Sequence, residues 1–447
     1  MTDLADPRDA YAHAFSKFER QAPGSDIPWL RDLRSAAIAR FREKGFPTLK
    51  DEEWKYTSVA PIARMSFHPA SEVGNGVTAD DLERVAFRGF EGNQIVFVNG
   101  RYAPRLSTPG LSNDGAQIRS LAEVLISEPE LVKPHLGRLV KFDSHAFAAL
   151  NTAFWEDGAF VHVPKGVVLE DPIHLLFAST HHEQPTVAHP RNLILLDEGA
   201  RATVVESYAG WGHGVYFTNH VTEAVVGDTA MLDHYKLQRE SEQAFHVGTL
   251  HLWQGRASRV ADHSISLGGG LVRNNVNTWF DAEGGELALN GLYVAGGRQH
   301  VDNHTRIDHA KPHCTSVELY KGILDGHARG VFYGNIVVHK DAQKTNAIQN
   351  NKNLLLSKDA LVDSIPGLQI LANDVKCRHG SSIGHMEEEQ VFYLRSRGLA
   401  EDAARSLLTY AFAAEVVNLV RVLPLRAALG AWILSRLPGG DVVEQAL

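Results

Sequence analysis

Cys377 and His379 are the residues of this chain whose types and spacing could bind a metal ion. Both lie in the run Asn-Asp-Val-Lys-Cys-Arg-His-Gly that begins at Asn373, and Val375 stands two residues before the cysteine. Residues two apart on an extended segment point to the same face, so these three side chains would share one. A thiol beside an imidazole suits a soft or borderline metal ion. The same pair also occurs as ordinary packing, and the spacing alone leaves both interpretations open.

The number of cysteines limits what the chain could hold by itself. Cys314 and Cys377 are the two cysteines among 447 residues. A closed iron–sulfur site usually takes about four thiolates, and a structural zinc site takes about four Cys and His ligands. Metal–sulfur chemistry at Cys377 would therefore need ligands from another polypeptide, which predicts a shared site at an interface.

Three runs around these residues resemble the SufD family. They are Lys-Thr-Asn-Ala-Ile-Gln-Asn-Asn-Lys-Asn-Leu-Leu-Leu-Ser from Lys344, Ser-Ile-Pro-Gly-Leu-Gln-Ile from Ser364, and Asp-Val-Lys-Cys-Arg-His-Gly from Asp374. The likeness covers nearly the whole chain and includes Phe-Pro-Thr-Leu-Lys-Asp-Glu-Glu-Trp-Lys-Tyr-Thr from Phe46 and His-Thr-Arg-Ile-Asp-His from His304. Members of that family are components of the SUF iron–sulfur cluster assembly machinery.

The resemblance implies a non-catalytic scaffold subunit that pairs with SufB and the ATPase SufC in a SufBC2D-type complex. It implies that His379, with Cys377, lies at the SufB junction as a shared assembly site for a transient iron–sulfur cluster or iron. SufC would dock on the C-terminal helices, with candidate contacts at Arg397, Gly398, Leu399, Tyr410, Phe412 and Glu415. ATP hydrolysis is expected in SufC, since this chain lacks a Gly-x-x-x-x-Gly-Lys-[Ser/Thr] motif. Flavin binding in the complex and a homodimer of the isolated chain stay open.

Three alternative functions stay in view. A SufB-type paralogue is disfavoured by the low thiol content and by Cys377-Arg-His-Gly, which matches the SufD form. A β-helix polysaccharide lyase or hydrolase could use Asp233, His234 and Lys236 in an outer groove, yet no paired Asp or Glu cluster recurs at the coil period. A purely structural interaction module would leave Cys377 and His379 as packing residues.

Composition predicts a soluble globular protein of a reducing compartment, with the cytoplasm as the expected location. Hydrophobic residues make up 44% and charged residues 22%, and the net charge of −9 disfavours a nucleic-acid partner. The start, Met-Thr-Asp-Leu-Ala-Asp-Pro, has no secretory-signal pattern. The most apolar stretch, 407–437, is interrupted by Arg421, Pro424 and Arg426, which argues against a membrane span.

A repeat of about 28 residues organises the middle of the chain. Turn glycines recur at Gly199, Gly227, Gly255 and Gly284, in steps of 28, 28 and 29 residues, between short runs rich in Val, Ile and Leu. Such a period predicts a mainly β fold, a right-handed parallel β-helix of about seven coils. We expect an N-terminal mostly helical region over 1–155, the β-helix core over 156–390, and a C-terminal helical SufC-docking region over 391–447.

The ends and one internal segment carry local predictions. Asn99-Gly100 after a short apolar run predicts a hairpin turn, and 142–154 suits a helix. Two apolar stripes at helical spacing predict helices between 399 and 437, with Pro424 in the first turn of the second. The segment from His300 to Cys314 contains five His or Cys residues, which we interpret as turn-bonded histidines rather than as a metal site.

Overall fold

The computed structural model describes residues 7–70, 77–78, 81–82, 85, 87, 89–108, 115–180, 182–212 and 214–444. Its helices are α1 (Pro7–Phe18), α2 (Pro28–Lys44), α3 (Ala60–Ala63), α4 (Leu121–Ser127), α5 (Pro129–Val132), α6 (Ala146–Phe154), α7 (Glu388–Ser396), α8 (Glu401–Val417), α9 (Leu423–Leu434) and α10 (Gly440–Glu444). Within those ranges, no helix is both long enough and apolar enough to span a bilayer.

The strands fill the middle of the chain. They are β1 (His68–Pro69), β2 (Asn93–Val98), β3 (Arg101–Tyr102), β4 (Gln117–Ser120), β5 (Ala159–Val163), β6 (Ile173–Ser179), β7 (Thr186–Ala188), β8 (Arg191–Leu196), β9 (Arg201–Gly210), β10 (Tyr216–Val226), β11 (Met231–Arg239), β12 (Phe245–Gln254), β13 (Arg259–Ser266), β14 (Leu271–Phe280), β15 (Glu286–Ala295), β16 (His300–His309), β17 (Thr315–Leu324), β18 (Arg329–Val338), β19 (Asn346–Leu355), β20 (Leu361–Ile370) and β21 (Lys376–His385).

These strands form two sheets whose pairing is parallel and in register, except for the antiparallel pairs β2–β3 and β4–β5. One sheet runs β20-β18-β16-β14-β12-β10-β8-β5-β4 and the other runs β21-β19-β17-β15-β13-β11-β9-β6-β2-β3. From β5 to β21, leaving the short β7 aside, consecutive strands alternate between the sheets, so each coil contributes one strand to each sheet. The predicted parallel β-helix is confirmed, with about seven turns.

The repeat depends on a recurring corner turn. One residue per coil has a left-handed backbone at this corner: Gly199, Thr229, Ala257, Gly284, His313 and Lys344, with φ of 69°, 58°, 50°, 75°, 60° and 63°. Gly227 and Gly255 have another role, because an added Cβ would lie 2.9 Å and 2.7 Å from atoms of the preceding coil. The glycine spacing thus predicted the correct coil length, although its glycines serve two different purposes.

Helices cover the outer faces of both sheets. The C-terminal helices α8 and α9 pack against outward-facing residues of one sheet, among them Tyr235, Ile265 and Ile323. The N-terminal helices pack against the other sheet, where Leu30 of α2 and Leu121 of α4 share one apolar cluster with Leu193 of β8. The β2–β3 hairpin forms at the predicted turn, with φ of 52° and 82° at Asn99 and Gly100.

The last coil differs from all the earlier ones. Strands β9 to β18 are mostly buried and β19 is buried at alternate positions, whereas β20 and β21 are intermediate or exposed along their whole length. Each of these two strands lies at the end of its sheet and has one hydrogen-bonded neighbour in it. Within the described residues, the inward face of this coil is therefore the open end of the β-helix.

Candidate functional site

Cys377 faces the interior of the β-helix at its open end. It is half-buried and packs, with Val375, against the main apolar core. Burial raises the pKa of its thiol, and the backbone contact with Ala347 offsets part of that effect. The face that the sequence predicts Val375 and Cys377 to share is thus the inward one, and binding of a metal by Cys377 would require removal of the thiol proton.

His379 lies on the same inward face, two residues after Cys377 on β21, and its side chain is exposed. Its Cα partner on β19 is Gln349, and the partner of Gln349 on β17 is Glu318. Both of these side chains are fully buried, and Gln349 Nε2 donates to Glu318 Oε2 at 2.7 Å. His379 therefore ends a polar column formed by Glu318, Gln349 and His379, which we call the axial column.

Glu318 is a buried carboxyl group whose ionisation the fold opposes. Burial raises its pKa to about 7, while the hydrogen bond from Gln349 limits the rise. Its folded-state pKa therefore lies above the ordinary value, so folding stability decreases as pH rises from about 4.5 through 7.

Glu318→Gln should remove that pH dependence. The free energy of unfolding of the variant minus that of the wild type should increase by about 1–3 kcal/mol between pH 5 and pH 8. One pKa unit corresponds to about 1.4 kcal/mol. Urea unfolding of the full chain at both pH values measures the difference. An equal stability difference at pH 5 and pH 8 would contradict the raised pKa.

The other cysteine and the histidine-rich segment are structural. Cys314 is buried, and its Sγ donates to the carbonyl of Ala282 at 3.4 Å. His300, His304 and His309 lie within β16 rather than in turns, so that interpretation was wrong for these three, although His313 does occupy a turn. Among the residues that the structure describes, no group of three or more His, Cys, Asp or Glu side chains is placed to hold a metal ion.

The residues proposed for a polysaccharide-cleaving groove are separated by the sheet. Asp233 points outward and pairs with Arg421 at 3.2 Å. His234 and Lys236 are buried, and His234 Nδ1 lies 2.6 Å from Asp262 in the interior. One outer groove cannot contain all three side chains, so the structure contradicts this alternative.

Three of the six candidate SufC contacts, Tyr410, Phe412 and Glu415, pack α8 against the chain's own β-helix. Glu415 pairs with Lys321 at 2.6 Å and with Lys352 at 3.2 Å. Lys321 also lies 3.8 Å from the ring centre of Phe412, and Tyr410 packs in the same apolar cluster. These side chains are engaged within the molecule.

The other candidates follow, in the chain, an exposed aromatic pair that the sequence did not single out. Arg397 and Gly398 are exposed and Leu399 is half-buried, just after α7. On α7 itself, Phe392 is 71% exposed and Tyr393 is 57% exposed. Arg397 lies 5.3 Å from the ring centre of Tyr393. In the sequence, the only signal was the adjacent Phe-Tyr pair. In the structure, Val391 is the one buried residue of that helix.

Comparison with known proteins places these features in a family. A model described as SUF system FeS cluster assembly, SufBD core domain, matches residues 177–412. A second model, the SufBD protein N-terminal region, matches residues 5–175. Together the two matched ranges include nearly all of the β-helix, α7 and part of α8.

Individual relatives match over most of their length. An iron–sulfur cluster assembly SufBD family protein of Synechocystis sp. is 33% identical over 422 residues, which cover 92% of each chain. The iron–sulfur cluster assembly protein SufD of Escherichia coli is 32% identical over 398 residues, covering 89% of this chain and 90% of the relative. A chloroplastic protein of Arabidopsis thaliana, ABCI7, is 30% identical over 89% of this chain and 84% of its own.

Proposed function

The chain belongs to the SufBD family of the SUF iron–sulfur cluster assembly system, and on this premise we propose that it is a SufD-type scaffold subunit that works with SufB and the ATPase SufC. In this function the chain is not itself a catalyst. It supplies a rigid β-helix, a surface for each partner, and side chains at the place where a cluster is built. The cluster is cargo that leaves the scaffold.

The open end of the β-helix is the observation that carries this proposal. Apolar side chains are exposed in the last coil, including Leu361 (58%), Leu371 (53%) and Ile383 (47%). An unpaired strand edge together with exposed apolar residues favours pairing with another chain. A SufB chain with a similar end coil would cover this surface and extend both sheets.

The ligand count supports a site divided between two chains. Cys377 and His379 share the inward face at this end and offer one thiolate and one imidazole. Iron–sulfur clusters are usually held by about four thiolates, so SufB would supply the remaining ligands. Two free thiols and the SufD relatives favour a reducing compartment, which we take to be the cytoplasm.

Co-expression of the tagged full-length chain with SufB and SufC tests the partnership. We expect the three chains to co-purify under anaerobic conditions and to carry iron and acid-labile sulfide. A tagged chain that recovers neither partner, with all three expressed, would contradict the proposal.

SufC docking is the second interaction that we propose, at the surface formed by Phe392, Tyr393 and Arg397. Exposed aromatic and arginine side chains of this kind are typical of residues that dominate binding energy in interfaces. Deleting the C-terminal helices would be a poor test, because α8 and α9 also cover one sheet.

Phe392→Glu should weaken SufC capture by about tenfold or more, since it replaces a large apolar contact by a charge. SufB pairing should persist, because α7 follows the open coil and is not part of it. Ile126→Glu is the matched control: Ile126 is 68% exposed on α4, in the N-terminal region. Pull-down at graded SufC concentrations measures the change, and unchanged capture by Phe392→Glu would place the docking surface elsewhere.

A further inference from the structure

Gln349 is a fully buried amide whose hydrogen bonding is incomplete. Its Nε2 donates to Glu318 Oε2 at 2.7 Å, whereas its Oε1 has no hydrogen-bond partner among the residues that the structure describes. Glu318 Oε1 is likewise buried without one. A buried acceptor without a donor is costly, and such groups usually have a structural or chemical purpose.

The surrounding backbone makes room for this amide. Gly334 lies on β18, in the facing sheet, and a Cβ added there would stand 2.3 Å from Gln349 Nε2. The amide is thus held between both sheets, with its nitrogen committed to the carboxyl group.

Gln349 Oε1 belongs to the side chain that neighbours His379 on the inward face. Gln349 and His379 are Cα partners on neighbouring parallel strands, and both side chains point inward. Adjacent strands lie about 4.8 Å apart, which is within side-chain hydrogen-bonding reach. In the free chain the imidazole is exposed to solvent, so the pairing would form when a partner covers the open end.

We propose that Gln349 is a positioning residue for His379, its Oε1 accepting the ring N–H of His379 while Glu318 holds its amide nitrogen. This inference rests on the function proposed above, in which His379 offers its imidazole to a shared site. A metal-binding histidine almost always donates its other ring N–H to an oxygen acceptor, which fixes the tautomer and the ring orientation. Glu318 and Gln349 together would supply that acceptor from inside this chain.

Two substitutions at Gln349 separate positioning from simple packing. Gln349→Leu fills a similar volume and removes the acceptor, whereas Gln349→Glu keeps an acceptor oxygen but places a second carboxyl group beside Glu318. Packing alone would favour Leu over Glu, because paired buried carboxyls are costly. If Gln349 positions His379, cluster loading should be higher in Gln349→Glu than in Gln349→Leu.

The experiment measures iron and sulfide in anaerobically purified complexes with SufB and SufC, matched for subunit ratio. We expect Gln349→Leu to lower loading by about tenfold and Gln349→Glu to retain most of it. Gln254→Leu is the matched control, another buried glutamine of the β-helix interior on β12, and should load like the wild type. If Gln349→Leu fails to fold, Gln349→Met replaces it.

The outcomes distinguish this inference from the function on which it rests. Full loading of Gln349→Leu, with loading lost in His379→Ala, overturns the positioning of His379 by Gln349 and leaves the shared site standing. Equal loss in Gln349→Leu and Gln349→Glu also overturns it, since the acceptor would then not be what matters. Full loading of His379→Ala overturns the shared site itself.

Discussion

We expect His379→Ala to leave the proposed complex with SufB and SufC assembled and to abolish the cluster that we propose the wild-type complex carries. The imidazole is exposed at the open end of the β-helix, so its removal creates no cavity in this chain's core. The ligand set that SufB completes would lack one member. We expect iron, acid-labile sulfide and visible absorbance to fall to background in complexes purified anaerobically at matched subunit ratio.

Cys377→Ser is the companion to this experiment and should cause a smaller loss. The Cys377 thiol is half-buried, and burial raises its pKa, which disfavours the thiolate that a metal requires. The imidazole of His379 is exposed at the same end. Undiminished loading of the His379→Ala complex would contradict the shared-site hypothesis and leave the chain as a structural half of the scaffold.

The architecture could be predicted because the β-helix repeats its physical constraints. Each coil requires a residue with left-handed backbone at its corner and a position where the backbone can approach the preceding coil closely. Both requirements recur in the sequence once per coil. Strand alternation predicted that Cys377 and His379 share one face, and the structure directs that face inward, with Lys376 and Arg378 on the other. Local rules were sufficient for these features.

The axial column could not be predicted, because it depends on register across coils. The spacing between paired residues varies: His234 pairs with Asp262, 28 positions on, while Glu318 pairs with Gln349, 31 positions on. Turn lengths set these differences, and no periodic rule gives them. The Asn/Gln-rich run after Ala347 was visible in the sequence, but its contact with Glu318 was not.

The docking residues show a different limit of sequence reasoning. An amphipathic stripe predicts that a helix packs against something, without identifying the partner. Tyr410, Phe412 and Glu415 pack on the chain's own sheet, which leaves Phe392 and Tyr393 as the exposed aromatic residues of this region. Whether SufC binds there stays a prediction.

Ile383→Asp should separate this chain from its scaffold partner. Ile383 points inward on β21, two positions beyond Ser381, and is 47% exposed in the free chain. A partner that covers the open end would bury the new carboxylate away from water, which costs several kcal/mol when no cation or donor compensates it. Because about 1.4 kcal/mol corresponds to tenfold, we expect SufB affinity to fall by about a hundredfold or more.

Val317→Asp provides the matched control for this substitution. Val317 is 42% exposed on β17, but it points away from the interior, so a carboxylate there stays in water when the open end is covered. Both variants should fold, since each changed side chain is already partly exposed. Titration of SufB by analytical ultracentrifugation distinguishes them. If Ile383→Asp binds SufB like the wild type, the junction lies elsewhere, and His379 cannot be a ligand at it. Loss of self-association alone would instead identify the open end as the contact between two copies of this chain.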